Sequence, residues 1–130
     1  LEAIDLLLPP QKKKAKKELP TSYETFWIEG QKVLLGKNKK GNVELLKLAR
    51  AGDIWMHIQQ MPSSHVIIQT SKQNLSDKLL EAAAKLCVDF STTKVGTFLV
   101  DYTYRREVKV QSEANVLYNN YKTLSVRKER

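Results

Sequence analysis

Ile54, Met56 and Ile58 alternate with Trp55 and His57, the period-two signature of a strand with two different faces. Met61-Pro62-Ser63-Ser64 reads as a turn, and His65–Gln69, rich in β-branched residues, as the returning strand. Upstream, Phe26–Ile28 and Val33–Gly36 flank Glu29-Gly30, a hairpin turn in which glycine accepts positive φ. Lys37–Gly41 is expected to be a basic loop. Asn42–Ala49 carries Val43, Leu45, Leu46, Leu48 and Ala49, a pattern that fits a short helix (about 42–50) with Asn42 as N-cap, with a strand as the other reading. Gly52 ends it. The clearest element is a helix over about 76–90, capped by Ser76, with Leu75, Leu79, Ala83, Leu86, Cys87 and Phe90 on one buried stripe. Val95–Tyr104 is a long strand, Arg105-Arg106 a turn or bulge, and Val108–Val110 its resumption. Asn115–Tyr118 and Lys122–Val126 are expected to form a closing hairpin across 119–121. These elements predict an α+β domain: a mostly antiparallel sheet packed against one long helix, plus a short one.

Length and composition narrow the class. The 130 residues suit one core, and 42% hydrophobic with 28% charged is ordinary for a folded domain. Residues 1–22 read as a flexible basic linker, because Pro9-Pro10 stops a helix and Lys12–Lys17 is a self-repelling block. Residues 23–130 are then a single domain. The chain opens on Leu1 and not Met, and is expected to be a piece of a longer polypeptide. No apolar run approaches the roughly 20 residues a membrane helix needs, so no membrane partner is expected. One cysteine, Cys87, rules out an internal disulfide and fits a reducing, cytoplasmic setting.

Charge points to a partner. The net charge is +8, and residues 21–130 hold 17 basic against 11 acidic side chains, so the excess belongs to the folded part. A polyanion such as nucleic acid or the ribosome fits that excess. His57 and His65, with Asp53 and Cys87, match no compact zinc spacing. Ser63-Ser64-His65 lacks the strand–turn–helix elbow of a nucleophilic serine, and the scattered glycines form no phosphate loop. No metal, cofactor, small-molecule substrate or catalysis is expected. The favoured reading makes Trp55, His57 and His65 one polar-aromatic surface able to stack on unpaired bases. The candidate nucleic-acid-binding residues are Lys37, Asn38, Lys39, Lys40, Trp55, His57, Ser64, His65, Arg105, Arg106 and Lys109. The core reading of Trp55 stays open beside the stacking one.

Gly36-Lys37-Asn38, Leu48-Ala49, Asp53-Ile54-Trp55-Met56-His57 and Pro62-Ser63-Ser64-His65-Val66-Ile67-Ile68 together resemble the NFACT-R domain. Glu81-Ala82-Ala83, Phe90-Ser91, Val100-Asp101-Tyr102-Thr103, Val108-Lys109, Val116-Leu117-Tyr118 and Lys122–Val126 extend the resemblance over about 23–127. It implies the C-terminal RNA-binding module of a cytoplasmic ribosome-quality-control protein, whose bacterial members are often called fibronectin-binding proteins. Such proteins carry a separate N-terminal domain and a coiled-coil arm. They bind tRNA and the obstructed large ribosomal subunit, and extend the stalled chain without a template. Four positions depart from the family pattern: Ser63 replaces a usual Gly, Glu113-Ala114 a Pro-Gly, and Lys37 a common Arg. Two other readings compete, a surface adhesin that binds fibronectin and a small hydrolase built on His57 and His65.

Overall fold

The computed structural model describes residues 22–70 and 75–129; the basic stretch 1–21 lies outside them. Strands β1 (Tyr23–Ile28) and β2 (Gln31–Gly36) form the expected hairpin. Glu29 (φ 51°) and Gly30 (φ 77°) both take left-handed backbone, the type I′ geometry that matches strand twist. Then come α1 (Lys39–Leu48), β3 (Ile54–Ile58), β4 (Val66–Gln69), α2 (Asp77–Ser91) and β5 (Gly96–Tyr104). A short 3₁₀ turn (Arg105–Glu107) leads to β6 (Val108–Ser112), β7 (Asn115–Tyr118) and β8 (Lys122–Lys128). Six strands make one antiparallel sheet in the order β8-β5-β3-β4-β2-β1, and β6 pairs only with β7. The α+β architecture is as expected.

The sheet is the middle of three layers because its central strands are apolar on both faces. Ile54, Met56 and Ile58 of β3, with Val66 and Ile68 of β4, meet Leu79, Leu80, Ala83, Ala84, Cys87 and Val88 of α2. Ser76 caps that helix by accepting from the Leu79 N–H at 3.0 Å. On the other face Leu34, Trp55 and Ile67 pack against Leu45 and Leu46 of α1 and Val108 of the β6–β7 hairpin. Burial of Trp55 and Ile67 therefore requires that hairpin and α1 together.

Four local expectations change. The first turn of α1 reaches back into the supposed basic loop, because the N-cap is Asn38, whose Oδ1 accepts from the Gly41 N–H at 2.9 Å. Asn42 is thereby freed for a different task. Phe90 leaves the buried stripe of α2 and is 52% exposed at its last turn. The 3₁₀ turn stops β5 from resuming: the Arg105 N–H donates to Asp53 O (2.8 Å) and the Arg106 N–H to Ala51 O (3.1 Å). Finally, β7 and β8 do not form a hairpin. Thr103 Oγ1 donates to Asn119 O and Asn120 O, pinning the connection over β5, so that β8 pairs with β5 while β7 turns back on β6.

Candidate nucleic-acid interface

Asn42 organises the site. Its Oδ1 accepts from the His65 N–H at 2.9 Å and its Nδ2 donates to Ser63 O at 3.3 Å, so α1 grips the loop before β4. The grip requires Gly36: a Cβ there would overlap Asn42 Oδ1 and sit 2.9 Å from the Asn42 backbone nitrogen. On the far side of the loop the Ser64 N–H donates to Ser91 Oγ at the end of α2, and the Cys87 thiol donates to Ser64 O. Ser63 Oγ accepts from the Ile58 N–H and donates to Ser64 O. Ser63 is absent from the residues with positive φ, so the loop does not need the glycine usual there. Helices on opposite faces of the sheet thus fix one short loop.

The three rings of the sequence motif do come together. Trp55 and His57, two apart on β3, lie parallel with centroids 5.7 Å apart, and His65 stands edge-on to both at 5.5 and 5.1 Å. Their burial differs, however. Trp55 is fully buried and His65 is 2% exposed, so neither has a free face for a base. The expected stacking role fails for these two because Ile67, Leu46 and Tyr118 already cover the indole's side of the sheet. Trp55 Nε1 donates to His65 Nδ1 at 3.3 Å, which places the one proton of a neutral His65 on Nε2. Burial, with His57 adding to it, pushes the His65 pKa down to about 3. Burial also lowers His57, against the opposing pull of a backbone hydrogen bond at Ile58 and the charge of Asp101. Both imidazoles are neutral at pH 7. The Cys87 thiol, raised to about 12 by burial, stays protonated.

Asp101, paired across the sheet with His57, is a structural hub. Its carboxylate, 1% exposed, accepts from Gln59 Nε2 (2.8 Å), Thr123 Oγ1 (2.7 Å) and Tyr118 OH (2.6 Å), which ties β5 to β8 and to the hairpin. Burial first, then the bond to Asp101, raises the Tyr118 pKa. Among the described residues no three His, Cys, Asp or Glu side chains are grouped as metal ligands would be.

An open cleft of about 400 Å³ lies at the start of α1. Lys37, Asn38, Lys39, His57, Ser64 and His65 line it, six of the eleven candidates. Pro62, Phe90, Ser91, Ala114 and Asn115 complete it with Asn42 and Ser63, and no lining residue is acidic. Two acids stand at its rim: Glu113 meets Lys39 at 3.5 Å and Glu24 meets Lys37 at 4.0 Å. Lys40 is exposed on α1 but outside the cleft. Arg105 is a brace, donating from Nε to Leu46 O (3.1 Å) and from Nη1 to Val108 O (2.8 Å). Arg106 lies over the Tyr104 ring at 4.2 Å, and Lys109 is exposed on β6. Phe90, Asn42 and Asn115 belong to the site without being candidates from sequence. The six-residue step from Gly36 to Asn42 is the available signal for one of them.

Comparison with known proteins agrees with this geometry. Residues 23–119 match the family described as NFACT protein RNA binding domain. A protein named Rqc2 homolog RqcH from Bacillus subtilis (strain 168) is 34% identical over 130 residues, covering 92% of this chain and 22% of that protein. The protein of the same name from Streptococcus suis (strain 05ZYH33) is 33% identical over 99 residues, 72% of this chain and 18% of that one. The chain thus spans about a fifth of the length of these relatives. The C-terminal structure of the fibronectin/fibrinogen-binding protein from Streptococcus suis superposes with a TM-score of 0.73 at 29% identity, over 91% of this chain and 49% of that one. No helix among the described residues is long and apolar enough to cross a membrane. With the family matched from the first strand of the sheet to the end of the β6–β7 hairpin, this chain belongs to the NFACT RNA-binding domain family.

Proposed function

We propose that this chain is the RNA-binding module of a ribosome-associated quality-control factor and contacts tRNA and large-subunit ribosomal RNA. The observation that carries the reading is the cleft at the start of α1, which gathers Lys37 and Lys39 with neutral hydrogen-bonding groups and has no acid in its lining. Lysines supply the sequence-independent attraction to phosphate, and polar groups on a fixed loop supply orientation. Membership of an RNA-binding family and likeness to relatives named Rqc2 homolog RqcH support the same reading. In the parent protein the module works beside an N-terminal domain and a coiled-coil arm, in the cytoplasm. The whole adds a template-independent tail to the stalled nascent chain, a reaction not expected of this module alone. The module's part is binding, not catalysis.

Association with purified tRNA and large subunits, measured over a salt series, tests this. The affinity falls steeply as salt rises, because phosphate neutralisation releases counterions. Replacing Lys37 and Lys39 by alanine weakens binding to all RNAs alike and lowers the salt slope by about one for each phosphate no longer neutralised. Salt-independent binding, or none, refutes the proposal. Immobilised fibronectin in the same assay covers the other activity named for the Streptococcus suis relative.

A further inference from the structure

Two polar side chains that line the cleft, each on a residue more than nine-tenths buried, have a polar atom that no described residue bonds. Ser64 is 8% exposed, and its backbone N–H and C=O are both bonded, to Ser91 and to Cys87 and Ser63. Its side-chain hydroxyl bonds to none of the described residues. His65 is 2% exposed, and its Nδ1 is taken by the Trp55 indole. Its remaining ring N–H, on Nε2, likewise bonds to none of the described residues. A buried donor left unmade costs free energy, and two in adjacent residues of one cleft point to a ligand that completes them.

The surroundings define the ligand's chemistry. Phe90, 52% exposed at the end of α2, lines the same cleft and presents its ring there at a T-shaped angle to Phe26. Lys37 and Lys39 line the cleft too, beside the α1 N-terminus. An aromatic wall, a neutral N–H donor, a hydroxyl that donates and accepts, and a cationic rim together suit a base attached to a phosphate. The volume, about 400 Å³, falls within the roughly 300–1,000 Å³ of pockets that hold one small ligand.

Resting on the RNA-binding reading, we propose that the cleft receives one unpaired nucleotide of single-stranded RNA. Its phosphate lies at Lys37 and Lys39, its base stacks on Phe90, and Ser64 Oγ with His65 Nε2–H reads its polar edge or 2′-hydroxyl. The domain then prefers unpaired RNA over duplex for a structural reason, not only through charge.

The test uses the whole chain with two fluorescent probes, a short oligouridylate and a blunt RNA duplex of equal length, followed by anisotropy. Phe90→Ala is expected to weaken oligouridylate binding about tenfold and Ser64→Ala several-fold, with duplex affinity changed by less than about twofold. Lys85→Ala, on the outer face of α2, is the control that leaves both unchanged. In parallel, titration of the unaltered protein with oligouridylate shifts the His65 Nε2–H resonance and slows its exchange. Equal losses for the two probes, no loss, or a His65 signal blind to oligouridylate overturns the nucleotide cleft while leaving RNA binding intact. Failure of the unaltered protein to bind either probe overturns the broader reading instead.

Discussion

Replacing Asn42 by alanine removes the side chain that ties α1 to the loop before β4. The His65 N–H, in a residue only 2% exposed, is deprived of its acceptor at 2.9 Å, and Ser63 O of a longer donor at 3.3 Å. An unsatisfied buried donor costs about 1–3 kcal/mol, and the half-buried carbonyl, which water can reach, adds roughly 0.5. The expected loss of stability is therefore about 2–3 kcal/mol. With a urea m-value of about 1–1.5 kcal/mol/M for a domain of this size, the unfolding midpoint falls by roughly 2 M. Gly36→Ala strikes the same junction from the other side and costs about 2 kcal/mol or more, because the new Cβ overlaps the Asn42 amide. The double variant distinguishes this argument from generic damage. With the amide gone, the Cβ of Ala at 36 meets only the helix backbone nitrogen, so the second substitution costs at least ~1 kcal/mol less than it does alone. Urea unfolding of the four proteins, followed by far-ultraviolet circular dichroism, measures the cycle. Costs that add within about 0.5 kcal/mol would show that Gly36 and Asn42 act independently, and the account of Gly36 as the space that the Asn42 amide needs would be wrong.

Acidification probes the buried imidazole. Because His65 titrates near 3 in the fold and near 6.5 when unfolded, only the unfolded chain takes up its proton between those values. Stability from this group is complete above pH 6.5 and is lost as pH falls toward 3, at up to about 1.4 kcal/mol per pH unit. His65→Gln flattens the midpoint-against-pH curve in that window, and an unchanged slope contradicts the burial argument. Glu113 holds a left-handed backbone (φ 52°) in the β6–β7 turn and pairs with Lys39. Glu113→Gly relieves about 1 kcal/mol of strain and frees the lysine, so both the thermal midpoint and RNA affinity at low salt rise; a fall in either refutes this. Arg105→Ala lowers stability by about 1–2 kcal/mol, because two backbone carbonyls are left without their guanidinium donors. Arg106→Ala leaves stability within about 0.5 kcal/mol and lowers the salt slope of RNA binding by about one, and the reverse pattern would overturn the division between them.

The elements most legible from sequence are those whose neighbours are local. Alternation over Ile54–Ile58 marks a strand whichever strands it pairs with, and Ser76 caps α2 through a residue three positions on. Pairing partners are harder, because they depend on distant atoms. Asn115–Tyr118 and Lys122–Val126 look like a hairpin until Thr103, on another strand, holds the chain between them. The site shows the same limit. Sequence alone groups Trp55, His57 and His65, and the fold does bring them together. It does not reveal that the ring best suited to stack on a base is sealed beneath α1 and the β6–β7 hairpin, while Phe90, placed by periodicity on the buried stripe, is the one left outside. Asn42 resembles a cap because caps are recognised locally; its actual partners lie more than twenty residues away.

The separation of β6 and β7 from the main sheet gives the cleft two unlike sides. One side stands on the start of α1 and on the loop before β4, next to central strands paired on both edges, whose amides are expected to exchange only through global unfolding. The other is the tip of a two-stranded ribbon, and such a ribbon is marginal by itself. It is attached through Val108, Val116, the Arg105 guanidinium and the Tyr118 hydroxyl. Hydrogen exchange in the hairpin is therefore expected to proceed by detachment, at a fraction of the global unfolding free energy. The side of the cleft that Asn115 lines is therefore expected to yield before the side that carries Ser64 and His65, which both helices hold.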